Sequence, residues 1–212
     1  MDSQFLAQLR TAYDAMVTER EGKILHSWKA AERARFLAMV QAEGKRTLLE
    51  IGMGTGRDSL YFQEQGITVT CADLSPAMVA HCRGKGLDAH VVDFASLDRH
   101  FAADTFPAIY AVNCLLHVPK TDLPLILQKI HTILAPDGLF YWGQYGGVDQ
   151  EGAWEGDHYR PQRFFARYTD EQFRALPQSL LQTEAFCVIP NDRGSGHGSG
   201  NHFHSLILRK VG

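Results

Sequence analysis

Apolar positions recur with two different periods along this chain of 212 residues. Before Thr47 the spacing is helical. Phe5, Leu6, Leu9, Tyr13 and Met16 form one stripe, and Leu25, Trp28, Phe36 and Met39 form another within 24–40. From Thr47 onward, short apolar runs alternate with amphipathic segments. Strands are predicted at 48–51, 67–72, 87–92, 108–113 and 139–144. Helices are predicted at 57–65, 76–83 and 122–134, the last ended by Pro136-Asp137-Gly138. Such alternation predicts an α/β fold, a mostly parallel sheet with helices on both faces, because consecutive parallel strands need a crossover packed on the sheet. After Gln144 the pattern breaks into a Gly-, aromatic- and charge-rich stretch over 146–163, which reads as an inserted loop covering something. Thr169 with Gln172 three residues on is a capping box that opens another helix, and two β-like runs at 181–189 and 202–211 follow.

Composition narrows the class. An apolar content of 45% suits one globular domain over 1–212, which the change of pattern divides into a helical segment (1–44), an alternating core (45–145) and a loop with two β-like runs (146–212). A formal net charge of −3 argues against nucleic acid as a partner, since phosphate backbones call for clustered cations. The absence of a long apolar run predicts a soluble, cytoplasmic protein with no membrane partner. Cys71, Cys82, Cys114 and Cys187 lack C-x-x-C spacing and read as buried free thiols.

The candidate chemistry begins at "LLEIGMGTGRDSLYF". Gly52, Gly54 and Gly56 lie between a predicted strand and a predicted helix, where bare backbone and a helix N-terminus can approach a nucleotide-like ligand. A glycine cluster alone is also the mark of a tight turn. No Gly-Lys-Ser/Thr follows, which excludes a P-loop, and Arg57 stands where the dinucleotide fingerprint requires its last glycine. The next strand ends at Asp73, about twenty residues on, where a carboxylate can accept both ribose hydroxyls. A further strand ends at Asp93-Phe94, a carboxylate and an apolar neighbour suited to adenine. A single Asp at a strand end is usually a turn or cap residue, but here acids close successive strands.

These segments, with "VTCADLSPAMV", "AHVVDF" and "YAVNCLLHVPKTDLPLILQKIHTILAPDGLFYWGQYGG", resemble the class I S-adenosylmethionine-dependent methyltransferases, most closely the bacterial small-molecule type, over nearly the whole chain. The resemblance implies a Rossmann-like sheet of seven strands in the order 3-2-1-4-5-7-6 with the last strand antiparallel, N-terminal lid helices, and S-adenosyl-L-methionine as cofactor. It implies that Gly52, Gly54 and Gly56 approach the methionine part, Asp73 the ribose, and Asp93 and Phe94 the adenine. Asn113 and Leu115 would line the sulfonium, and Tyr13, Glu50, Leu74 and Met78 would complete the cofactor site. The implied reaction is in-line methyl transfer to an O, N or S atom of a small molecule.

Ligands of open α/β sheets gather at the carboxyl ends of the strands, which places the acceptor beside His117, Tyr145, the 146–163 loop with Tyr159 and Arg163, and His197 or His202. His117 is the first candidate base and Tyr145 the second catalytic candidate. Each reads equally well as a packing residue. His202 and His204 alternate and share a strand face, but no neighbouring carboxylate or cysteine completes a metal site, so no metal is expected. Arg57 and Asp58 are expected to pair locally. A non-catalytic S-adenosylmethionine sensor, with its substrate pocket closed, is the competing reading, and a dehydrogenase ranks third. Oligomeric state is open.

Overall fold

The computed structural model describes residues 2–190 and 201–211. Three helices come first: α1 (Ser3–Asp14), α2 (Val17–Glu21) and α3 (Ser27–Ala42). The core then alternates β1 (Thr47–Ile51), α4 (Arg57–Glu64), β2 (Thr68–Asp73), α5 (Pro76–Gly84), β3 (Asp88–Val91), α6 (Leu97–His100), β4 (Phe106–Val112), α7 (Leu123–Ile133) and β5 (Leu134–Gly146). Two short strands, β6 (Gln150–Ala153) and β7 (Phe164–Arg167), precede α8 (Asp170–Ala175), β8 (Gln182–Ile189) and β9 (His202–Arg209).

The main sheet runs β3-β2-β1-β4-β5-β9-β8. β9 pairs antiparallel with both β5 and β8. With β6 and β7 set aside as a separate antiparallel pair, this is the expected strand order. The strands of the sheet centre read as continuous apolar runs because both faces are covered. Phe36 and Val40 of α3, Phe62 of α4 and Val79 and Cys82 of α5 pack on one face. Leu123, Ile126, Leu127, Ile130 and Ile133, the inward stripe of α7, pack on the other with Phe173 of α8.

The helix starts follow the local chemistry. Ser75 caps α5, its hydroxyl accepting from Met78 N–H at 3.1 Å, with Pro76 in the first turn. Thr169 and Gln172 form the expected capping box on α8.

Several expectations change in detail. The second N-terminal helix starts at Ser27, behind the short α2, not at Ile24. β5 begins at Leu134 and carries an irregularity opposite Phe106 and Ala108, with Asp137 at φ 57°, so the Pro-Asp-Gly turn is absorbed into the strand rather than preceding it. The 146–163 loop is partly ordered into the β6–β7 pair. Cys187 is exposed on β8, since edge position leaves one strand face open, while Cys71, Cys82 and Cys114 are buried as expected. Asp58 pairs with Arg33 at 2.6 Å instead of with Arg57, which bonds the carbonyls of Glu21 and Lys23.

Candidate functional site

A cleft opens at the carboxyl ends of β1, β2 and β4. Its floor is the turn after β1. Gly52, Gly54 and Gly56 all have positive φ (69°, 56° and 78°), which a side chain would make costly, but their surroundings differ. A Cβ on Gly52 would strike the Cys114 side chain, lying 2.9 Å from Sγ, and one on Gly56 would lie 2.5 Å from Leu87 Cδ1. A Cβ on Gly54 would meet only the Arg20 guanidinium, at 3.3 Å. Gly56 is thus a packing glycine at the start of α4 and does not line the cleft, whereas Gly52 and Gly54 do.

Asp73 ends β2 with its carboxylate braced by backbone. Gly54 N–H donates to Oδ2 and Ser75 N–H to Oδ1, each at 2.9 Å. Burial raises its pKa, and the two N–H groups work against that rise. Each oxygen keeps a further lone pair for an incoming donor. Leu74, Asp93, Phe94 and Asn113 also line the cleft. Asp93 Oδ1 and Asn113 Oδ1 are buried and have no hydrogen-bond partner among the described residues. Buried acceptors of this kind are rare without a ligand or water to satisfy them.

Helix α1 roofs the cleft. Leu6, Leu9 and Tyr13 face it from the apolar stripe legible in sequence, and the helix docks through Asp14, whose carboxylate accepts from Ser75 Oγ and, at 3.2 Å, from Ala77 N–H. Phe5 packs edge-on against Phe164 of β7 with centroids 5.4 Å apart, so roof and inserted strands meet. Arg20 reaches in from α2, and its buried Nε has no partner among the described residues. Arg10, Ser75 and Cys114 were not assigned to this cleft from sequence, and only the docking of α1 over the sheet brings Arg10 there.

A second, wider opening adjoins the first and shares Tyr13, Arg20, Gly52, Asn113 and His117 with it. Tyr145, Tyr159 and Arg163 line it. At the junction of the two lies a buried chain. His117 Nδ1 is 2.6 Å from Phe164 O, a carbonyl that can only accept, so Nδ1 carries the proton and Nε2 accepts. Tyr13 Oη lies 2.6 Å from that Nε2 and therefore donates to it, while Arg163 Nη1 donates to Tyr13 Oη at 3.2 Å. Arg163 is itself held by Asp157 at 2.7 Å, and its guanidinium covers the Tyr159 ring 3.5 Å from the centroid. Burial, then the Arg163 charge, push the His117 pKa down to about 3, and burial raises that of Tyr13. The pair is neutral at physiological pH.

Lys29 stands at the outer wall with its ammonium 5.1 Å from the centroid of the Tyr145 ring, and burial pushes its pKa down to about 8. Glu50 lies deep in the same opening, taking a hydrogen bond from Ser59 Oγ. Burial and then Asp58 raise its pKa well above the ordinary carboxyl value.

The remaining expected site residues lie elsewhere. Met78 and Leu115 are buried in apolar packing and line neither opening, because α5 and the turn after β4 direct these side chains inward. His202 also lines neither. It faces Asp170 and His204 on the opposite side of β9, and Asp170 is the carboxylate that sequence proximity did not supply. His197 lies outside the described residues. Among the described residues no helix is long and apolar enough to cross a membrane.

Residues 48–138 match the family model described as a methyltransferase domain. The malonyl-(acyl-carrier protein) O-methyltransferase of Pectobacterium atrosepticum is 28% identical over 172 residues, 74% of this chain and 64% of that protein. The chain spans 32% to 64% of the length of the curated relatives it matches. Among solved structures, the Burkholderia thailandensis 1,6-didemethyltoxoflavin-N1-methyltransferase, bound to its 1,6-didemethyltoxoflavin and S-adenosylhomocysteine, superposes with a TM-score of 0.73 at 22% identity, covering 99% of this chain and 90% of that one. The 4+2 cyclase SpnF has the same fold, with a TM-score of 0.71 at 18% identity over 98% of this chain and 97% of its own. Residues 48–138 therefore belong to the methyltransferase domain family, and the chain around them has the fold of the class I S-adenosylmethionine-dependent methyltransferases.

Proposed function

We propose that the protein binds S-adenosylmethionine in the inner cleft and transfers its methyl group to a small molecule held in the outer one. The observation carrying this reading is the set of unsatisfied groups along the inner cleft. They are the Arg20 Nε, the open lone pairs of Asp73, the Asn113 Oδ1 and the Asp93 Oδ1. Arg20 above Gly54 suits a carboxylate, Asp73 two ribose hydroxyls, and Asp93 beside Phe94 an amino-substituted purine. When bound, the cofactor supplies an activated methyl on a sulfonium.

Alignment and exclusion of water are what the chain adds. α1 and the β6–β7 pair close over the junction, and Tyr13 Oη offers the acceptor a hydroxyl whose orientation is locked by His117 and Arg163. His117, with its pKa pushed to about 3, acts through Tyr13 as a positioning group instead of withdrawing a proton in the resting state. That favours an acceptor nucleophilic without prior deprotonation, a neutral nitrogen above all, whose proton leaves after the methyl has arrived. The flanking Arg20 and Arg163 favour a neutral or anionic molecule, not a cationic one. The sensor reading is disfavoured by the outer opening, which is not filled by protein. Like the cofactor, the cytoplasmic location and a non-nucleic-acid acceptor belong to this proposal.

Calorimetric titration with S-adenosylhomocysteine and NAD tests the cofactor, and transfer of a labelled methyl to a panel of small nitrogen, oxygen and sulfur nucleophiles tests the reaction. Binding of NAD without S-adenosylhomocysteine overturns the reading. Cofactor binding without transfer to any acceptor class favours the sensor.

A further inference from the structure

Asp170, His202 and His204 form a cluster that methyl transfer does not use. Alternation along β9 puts both histidines on one face of the strand, while Phe203 between them faces the other way and packs against Trp28 with centroids 4.8 Å apart. The capping box at Thr169 sets the first turn of α8 against that histidine face, and Asp170 Oδ1 falls 2.6 Å from His202 Nε2 and 2.8 Å from His204 Nε2. The two Nε2 atoms are 3.1 Å apart.

Both imidazoles thus direct the same ring nitrogen to one point beside a carboxylate. Protons fill this triangle poorly. Two N–H groups so close, aimed at one oxygen, bring their hydrogens within about 2 Å of each other. If one ring instead leaves its Nε2 bare, a nitrogen lone pair faces the Asp170 oxygen at 2.6 or 2.8 Å with no proton between them. A cation resolves the conflict. Ligand atoms 2.6 to 3.1 Å apart can all lie about 2.0–2.2 Å from one ion seated above their plane, the distance that zinc prefers for nitrogen and carboxylate oxygen. His204 is held by Phe173, stacked with centroids 4.6 Å apart, while His202 and Asp170 remain partly exposed, so the remaining coordination positions face solvent.

We propose that Asp170, His202 and His204 are a binding site for a divalent first-row transition ion of the zinc class, two imidazoles and one carboxylate being a donor set that such ions prefer over magnesium or calcium. The ion ties the start of α8 to β9, one strand from the point where β5 leaves the sheet for the inserted strands, His202 standing opposite Gly146. The site lies outside both clefts, so its role is to fasten this edge and not to act on the acceptor.

The test uses tag-free protein stripped with a chelator and titrated with Co²⁺, read by its visible ligand-field absorption, then with Zn²⁺ in competition. The wild type is expected to take up one Co²⁺ that Zn²⁺ displaces, and its melting temperature to rise by about 5–10 °C at a hundredfold excess of Zn²⁺ over Kd. His202→Ala and Asp170→Asn, at partly exposed positions, should melt like the stripped wild type without metal, lose the Co²⁺ spectrum, and bind Zn²⁺ at least about tenfold more weakly. Equal stoichiometry and affinity in wild type and both variants would place the ion elsewhere and overturn the proposal. So would failure of the wild type to bind either ion at millimolar concentration.

Discussion

Asp73→Ala removes one side chain that serves two purposes, and the structure allows the two losses to be separated. The carboxylate accepts Gly54 N–H and Ser75 N–H, each at 2.9 Å. Leaving both donors without their charged partner should cost about 2 kcal/mol of stability, a drop of about 4–8 °C in melting temperature. The proposed ribose contacts are additional. Two hydrogen bonds from hydroxyls to a carboxylate are together worth about 3 kcal/mol, so affinity for S-adenosylhomocysteine should fall about 150-fold. A disordered glycine turn alone would also weaken binding, which makes affinity by itself a poor discriminator. A double cycle resolves this: adenosine and 2′,3′-dideoxyadenosine are titrated calorimetrically into wild type and variant, well below both melting temperatures. The wild type should prefer adenosine strongly and the variant should not. If both proteins show the same preference, the carboxylate holds only the turn, and the ribose lies elsewhere.

Three further outcomes are expected. Arg20→Ala should weaken S-adenosylhomocysteine about tenfold or more but leave adenosine, which has no carboxylate, nearly unchanged; equal losses would remove Arg20 from the methionine end. Gly52→Ala, against Cys114 at φ 69°, should cost about 2–4 kcal/mol in urea denaturation, whereas Gly66→Ala, at φ 83° with nothing within 4 Å, should cost only the roughly 1–2 kcal/mol of the left-handed backbone; similar costs would contradict the packing argument. Because the folded His117 pKa is about 3 against an ordinary 6.5, the unfolded state takes up this proton first, so stability falls by up to about 1.4 kcal/mol per unit as pH drops from 6.5 towards 3. Denaturation curves of His117→Gln should show a pH slope shallower by nearly one proton in that window, and an unchanged slope would mean that His117 titrates normally.

How far the site was legible follows from the range of the interactions that built each part. The turn after β1 and the acids at the ends of β2 and β3 are local facts. A strand end, a backbone that needs positive φ and a carboxylate a fixed number of residues later leave their mark in spacing, and Gly52, Gly54, Asp73, Asp93 and Asn113 all reach the inner cleft. Periodicity marked the buried face of α7 and the apolar stripe of α1 for the same reason. Met78 and Leu115 show where motif position stops informing: a residue beside a ligand loop can turn inward, and only the packing around it decides.

The sequence by itself determined the doubly wound sheet, its strand order through the resemblance, and the glycine and acid positions that face one edge, since each depends on backbone geometry over a few residues. Tertiary structure alone decided that Tyr13, His117 and Arg163 meet in one neutral chain, that Arg20 hangs over Gly54, and that Asp170 joins two histidines more than thirty residues away. Those meetings depend on where helices dock and loops return, and such docking is set by the summed packing of many side chains that carry no periodic signal of their partners.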